Sequence, residues 1–170
     1  MTDDLTIRAL EAGDLDLIAA TDGGPAWNAD SVLWQGYLAE AARDRRVALL
    51  AFQGRHVVGY GTLLWQSDYL PFSEAGIPEI NNLVVAQAAR RGGIATEMIG
   101  RFEQLAASAG KPVIGLGVGL YADYGAAQRL YVRLGYLPDG RGITYGEKPV
   151  AADQPVRVDD DLILWLTKSL

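Results

Sequence analysis

The stretch NNLVVAQAARRGGIATEMIG, residues 81–100, is the one on which the fold turns. It runs from an apolar segment, Leu83-Val84-Val85, through two arginines and two glycines into a helical pattern. Ile94, Met98, Ile99, Phe102, Leu105 and Ala109 recur on one helical face, and Gly110 supplies the stop. A strand that becomes a helix across Arg90-Arg91-Gly92-Gly93 sets unpaired helix N–H groups and a partial positive charge beside two guanidinium groups. Glycine lets a ligand approach the backbone, and arginine forms charge-assisted bonds to phosphate. A diphosphate is the natural guest of that segment. From these residues alone, a tight turn with two solvated arginines is an equal alternative.

Working outward, DLTIRAL alternates like a strand, and EAGDLDLIAAT reads as a turn and a short helix. Residues 30–44 read as a helix capped by Asp30 or Ser31, with Val32, Leu33, Gly36, Tyr37 and Ala41 at helical spacing. RVALLAFQ and HVVGYGTLLWQ form a hairpin about Gly54. SDYLPFSEAGIP reads as a loop, EINNLVV as the next strand, and PVIGLGVGL as a strand buried on both faces. DYGAAQRLYVRLG reads as a helix with Asp123 as its cap and Gly135 as its stop. YLPDG turns, GITY begins a strand, EKPVAADQPVR is a second long loop, and DDLILWLTKSL closes as a strand. The order predicts one mixed α/β (α+β) domain over residues 1–170, around a mostly antiparallel sheet.

The chain has 170 residues, no cysteine, one histidine and a net charge of −6. Absent cysteine excludes disulfides and thiolate metal sites, and a lone His56 argues against zinc, so no metal is expected. The acidic balance argues against nucleic acid and favours a cationic ligand. MTDDLTIRAL is acidic where a signal peptide is basic, and PVIGLGVGLYA is too short and glycine-rich to span a bilayer. The expectation is a cytoplasmic protein with no membrane partner. No G-x-x-x-x-G-K-[ST] occurs, and GLGVG at 115–119 lacks the third glycine of a dinucleotide fingerprint because Leu120 stands there. Those glycines serve close packing or keep a groove open. Asp159-Asp160-Asp161 reads as a solvated entrance to the last strand.

Arg90-Arg91-Gly92-Gly93-Ile94-Ala95 resembles the acyl-CoA-binding signature [Q/R]-x-x-G-x-[G/A] of the GNAT acetyltransferase superfamily. The usual approach, V-x-P-x-x-R-G-x-G-I-G, is met at Val85, Arg90, Gly93 and Ile94 and missed at Gln87 and Arg91; Ala95 is an allowed variant. A second pattern, A-x-x-L-Y-x-x-x-G-[F/Y], matches Ala127, Leu130, Tyr131, Gly135 and Tyr136. Tyr124 stands where the family often has Asn. The element order is similar across nearly the whole chain.

That resemblance implies helices on both faces of a twisted sheet whose fourth and fifth strands splay apart. Acetyl-CoA, the co-substrate, would lie in the gap. Leu83, Val84 and Val85 would contact its pantetheine arm, and Arg90, Arg91, Gly92, Gly93, Ile94, Ala95 and Thr96 would hold its diphosphate. The implied activity is transfer of the acetyl group to a primary amine, on a small molecule or a peptide, by direct attack. Tyr131 at the family's tyrosine position would be the general acid, with packing inside the helix as its alternative. Glu79 would be the general base, with an ordinary exposed carboxylate as its alternative; Asn81 and Asn82 occupy positions often acidic in relatives. The Val85 N–H would face the developing oxyanion.

In this family the acceptor is gripped by the first helical region and by loops, here residues 21–40, 66–79 and 141–158. These carry Trp27, Asp30, Trp34, Asp68, Tyr69, Glu74 and Tyr145, aromatics and carboxylates that suit a cation. Trp34 and Tyr37 could equally belong to a helix core. The rival readings are a non-catalytic acyl-CoA-binding sensor or partner-dependent module on the same fold, and a nucleotide-binding protein using the same helix N-terminus. Many relatives pair through terminal strands, and DLILWLTKSL could do so in a homodimer.

Overall fold

The computed structural model describes residues 5–20 and 31–170. The first elements are β1 (Leu5–Ala9), α1 (Leu15–Ala19), α2 (Ser31–Ala41), β2 (Arg46–Gln53) and β3 (His56–Leu64). Then come α3 (Leu70–Ala75), β4 (Glu79–Val85), α4 (Ile94–Ser108) and β5 (Val113–Gly119). The chain ends with α5 (Gly125–Arg133), β6 (Leu137–Tyr145), β7 (Lys148–Pro149) and β8 (Leu162–Ser169). The eight strands form a mixed sheet ordered β1-β2-β3-β4-β5-β8-β6-β7. β1–β2, β2–β3, β5–β8, β6–β8 and β6–β7 pair antiparallel. β4 and β5 pair in parallel at Glu79–Gly115 and Ile80–Leu116, which fits the expected splayed strands. Among the described residues no helix is long and apolar enough to cross a membrane.

The chain divides into two compact units: the described residues up to Trp65 with Asn81–Phe102, and Gln66–Ile80 with Glu103–Leu170. In the first unit, Gly54 turns the β2–β3 hairpin at φ +58°, as its position predicts. The core joins Leu10, Ile18, Leu50, Phe52, Val57 and Tyr60 to α2. That helix buries Trp34 and Tyr37, while Val32 is 70% exposed and Leu33 and Gly36 also face solvent. The buried face therefore keeps Tyr37 of the expected stripe but turns from Val32, Leu33 and Gly36 to Trp34. Trp34 meets Tyr37 and Tyr60 edge-to-face, with ring centroids 5.7 and 4.9 Å away, and two large aromatics bury more apolar area than the aliphatics they displace. Arg8 holds Asp14 through bonds of 2.7 and 2.6 Å, and this hydrogen bonding keeps the Asp14 carboxyl below its usual range.

α4 buries Ile94, Met98, Ile99 and Phe102 as expected, but Ala106 takes the inward position assigned to Leu105. Steps of four from Ile94 keep one stripe through 98, 102 and 106. Gly110 follows the helix at φ +72°.

In the second unit the loop expected at 66–79 contains α3. Pro71 occupies its first turn and Gly76 ends it at φ +65°, so its start and stop were written in the sequence; six residues are too few for periodicity to show. Phe72 and Tyr69 pack on Trp165 of β8. The expected turn at YLPDG is part of β6, whose pairing with β8 slips between Pro138 and Ile143. Gly140 and Gly142 take positive φ there, which local reading mistakes for a chain reversal. The helix at 123–135 begins later than expected: Ala122–Tyr124 is a 3-10 turn, α5 starts at Gly125, and Asp123 does not cap it.

The β5 glycines resolve to close packing. A Cβ on Gly117 would stand 2.8 Å from Ile163 Cγ2, Gly115 lies against the Phe72 ring, and Gly119 lies against the Tyr124 ring. β8 pairs with β5 on one side and β6 on the other, so DLILWLTKSL has no open edge through which to recruit a second copy.

Candidate functional site

The anchor segment lies in the first unit. Asn81 O accepts from Thr62 Oγ1 at 3.0 Å, and Asn82, at φ +53°, donates from Nδ2 to the Tyr37 hydroxyl at 2.7 Å. The left-handed residue lies within β4, and asparagine tolerates that backbone better than most side chains. Leu83, Val84 and Val85 then run half-buried to the strand end. Gln87–Ala89 makes a 3-10 turn, and Arg90 Nε donates back to the Val85 carbonyl at 3.1 Å. Arg91 and Gly93 follow at φ +67° and +83°.

The first helical bond of α4 joins Glu97 N–H to Gly93 O at 3.0 Å, while Ile94 anchors the helix in the core. Arg90, Arg91, Gly92, Gly93 and Thr96 are exposed and Ala95 half-buried. A Cβ added to Gly93 would meet nothing within 4 Å. A helix start, two exposed arginines and open space above glycine form a set that suits a diphosphate.

The residues with acid–base chemistry lie in the second unit. Glu79 is buried, 5% exposed, which removes the expectation of an ordinary surface carboxylate. Its Oε2 accepts from Ser67 Oγ at 2.5 Å, and Ser67 Oγ accepts from the Tyr69 N–H at 3.0 Å. Tyr131 is 8% exposed, tilted against Tyr136 at 6.2 Å between centroids. Burial pushes the Tyr131 phenol up to about 12, so it keeps its proton at neutral pH. Tyr136 donates to Glu103 at 3.1 Å, and Lys168 reaches both Glu103 oxygens at 2.8 and 2.9 Å. This leaves Tyr136 committed to a structural network.

The acceptor candidates disperse. Trp34 sits in the first unit's core, 2% exposed, and its Nε1 has no hydrogen-bond partner among the described residues. Tyr69 is buried in a parallel stack on Trp165 at 4.2 Å, and its hydroxyl donates to Asp139 at 2.9 Å; burial first, then Asp139, pushes it up to about 12. Tyr145 is half-buried and donates to Asp159 at 2.9 Å. Asp68 and Glu74 are exposed. Trp27 and Asp30 lie outside the described residues.

Tyr124, at the position often held by Asn, donates to Asp160 at 2.9 Å, and Tyr121 donates to the same oxygen. Asp159 and Asp160 are thus hydrogen-bond acceptors for tyrosines rather than a merely solvated entrance. No group of three or more His, Cys, Asp or Glu that could hold a metal occurs among the described residues. His56 opens β3 at the hairpin turn and is exposed. Ser67 carried no signal in the sequence, being a lone serine in a segment read as loop.

Comparison with known proteins gives these findings. The acetyltransferase (GNAT) family model matches residues 18–136. No curated protein has a matching sequence. A ribosomal-protein-alanine N-acetyltransferase from Brucella melitensis superposes with TM-score 0.70 at 23% identity, over 97% of this chain and 99% of that one. An N-acetyltransferase from Staphylococcus aureus Mu50 gives 0.70 at 16%, over 98% of each chain. A GNAT family acetyltransferase from Elizabethkingia anophelis, with acetyl-CoA bound, gives 0.62 at 18%, over 99% of each. At these identities the structural likeness speaks for the fold.

Proposed function

The chain belongs to the acetyltransferase (GNAT) family, and from that premise we propose that it transfers the acetyl group of acetyl-CoA to a primary amine by direct attack. The observation that carries the reading is the anchor segment: Arg90 docked on Val85 O, Gly93 at positive φ, and exposed Gly92, Gly93 and Thr96 at the start of a helix pinned by Ile94. Relatives of the same fold are named acetyltransferases, one with acetyl-CoA bound.

Acetyl-CoA supplies the electrophilic carbonyl carbon and a thiolate leaving group. Arg90–Thr96 holds the diphosphate, and Leu83, Val84 and Val85 hold the pantetheine arm by backbone bonds. The Val85 N–H stabilises charge developing on the carbonyl oxygen. Glu79 takes a proton from the amine, directly or through water, so that a neutral nitrogen attacks. Tyr131, which keeps its proton at neutral pH, delivers one to the departing sulfur. With no cysteine in the chain, a thiol nucleophile on the protein plays no part.

A thermal-shift titration with acetyl-CoA, coenzyme A, ATP and NAD, checked by calorimetry, tests the reading. A ligand that binds the folded state alone raises the melting temperature by mass action. Stabilisation by acetyl-CoA and not by ATP or NAD is the expected result. Folded protein that ignores acetyl-CoA would reduce the anchor to a tight turn.

A further inference from the structure

We infer that Ser67 is a positioning residue for Glu79, orienting the carboxylate that accepts the amine's proton. This rests on the reading of Glu79 as the general base given above.

The geometry lies wholly within the second unit. Ser67 is 3% exposed, and its Oγ stands 2.5 Å from Glu79 Oε2. A serine hydroxyl has one hydrogen and two lone pairs. The Tyr69 amide, 3.0 Å away, can only donate, so it occupies a lone pair of Oγ. An ionised carboxylate can only accept. With Glu79 ionised, as a general base must be, the hydroxyl hydrogen points at Glu79 Oε2.

Tyr69, which donates that amide hydrogen, is itself held at several points. It is the N-cap residue of α3, its ring is stacked on Trp165 with an interplanar angle of 1°, and its hydroxyl is bonded to Asp139. Glu79 is held from the other side by its strand, pairing with Gly115. A buried carboxylate without a donor would lose hydration with nothing in return. Ser67 offsets part of that loss and commits one named oxygen, which selects the rotamer of the side chain. No covalent bond to Ser67 forms or breaks; the amine proton passes to Glu79 or its water, and the hydroxyl keeps its own.

The test is a double-mutant cycle on the full chain, with Ser67→Ala, Glu79→Gln, the double variant and Ser67→Thr. Thiol release from acetyl-CoA is followed with saturating spermidine, ethylenediamine, glycinamide and lysinamide assayed in parallel, together with melting temperature and acetyl-CoA Kd. Ser67→Ala is expected to lower kcat about tenfold, the scale of one hydrogen bond to a charged group, with KM and Kd within about twofold. Ser67→Thr should recover most of the rate. In the Glu79→Gln background, removing the hydroxyl should change kcat no further, because the two residues act as one unit.

Equal losses in both backgrounds would make Ser67 a packing residue and overturn the inference, as would wild-type kcat in Ser67→Ala. Should the alanine variant not fold, Ser67→Cys, close in shape and a weak donor, makes the same comparison. Wild-type kcat in Glu79→Gln, or no turnover of any amine by the wild type, would instead sink the reading on which this one rests.

Discussion

Arg90 Nε donates to the Val85 carbonyl at 3.1 Å, so the residue that opens the anchor is tied to the last residue of β4. That bond closes a loop over residues 85–90 around the 3-10 turn at Gln87–Ala89. It holds strand end and helix start in register before any ligand arrives, which lowers the ordering cost of binding. Arg90→Ala removes both the tether and a charge. Acetyl-CoA Kd measured by calorimetry should rise about tenfold or more. Arg90→Lys should recover little, because an ammonium lacks the planar fork.

Arg91 and Gly93 share the left-handed region but differ in what substitution does. A Cβ on Gly93 meets open space, so Gly93→Ala acts through the backbone alone and should cost about 1 kcal/mol or more. Gly93→Val should weaken acetyl-CoA binding sharply, and an unchanged Kd would remove Gly93 from the anchor. Arg91→Gly relieves a strained residue whereas Arg91→Ala does not, so the glycine variant should melt higher than the alanine one. If the guanidinium contributes to binding, both should lose affinity equally.

Tyr131→Phe should lower kcat about a hundredfold while leaving acetyl-CoA Kd unchanged. The phenol also carries a pH signature. Its folded value is raised above the ordinary 10 to about 12, so the unfolded chain ionises first as pH rises. Stability from its burial is complete below pH 10 and is lost as pH climbs towards 12. Melting temperature should fall across that window and fall less steeply in the phenylalanine variant. A slope identical to wild type would contradict the burial argument.

Phe72 locks the second unit, touching Tyr69, Trp165 and the bare face of Gly115. Phe72→Ala should cost about 3–5 kcal/mol through the cavity it leaves, read by denaturant unfolding. Gly117→Ala should cost about 1–3 kcal/mol from the opposite cause, a methyl driven against Ile163. Near-zero changes would mean that β5 and its neighbours relax more freely than their packing implies.

Where local chemistry suffices, the sequence was legible. Alternation marked β1, apolar runs marked β2 to β4, Gly54 marked the hairpin, and the passage from Val85 through Arg90 and Gly93 into α4 emerged with its glycine geometry intact. Misreadings arose where a local signal has two meanings. Pro71 and Gly76 bound a short helix rather than a loop, and Gly140 and Gly142 kink a strand rather than reverse it. In α2, Tyr37 of the expected stripe is buried, but Trp34 takes the inward place of Val32 and Leu33, because packing decides which stripe of a helix faces inward.

By itself, the sequence determined the order of elements, the strand–turn–helix anchor and the family signature, since these depend on residues within one or two turns of each other. Only the tertiary structure decided that Glu79 is buried with Ser67, that Tyr124 answers Asp160, and that β8 lies between β5 and β6 with no free edge. Those facts depend on pairings between distant segments. A carboxylate's surroundings, and so its chemistry, are set by which strands and helices close over it, and nothing in the neighbouring letters records that.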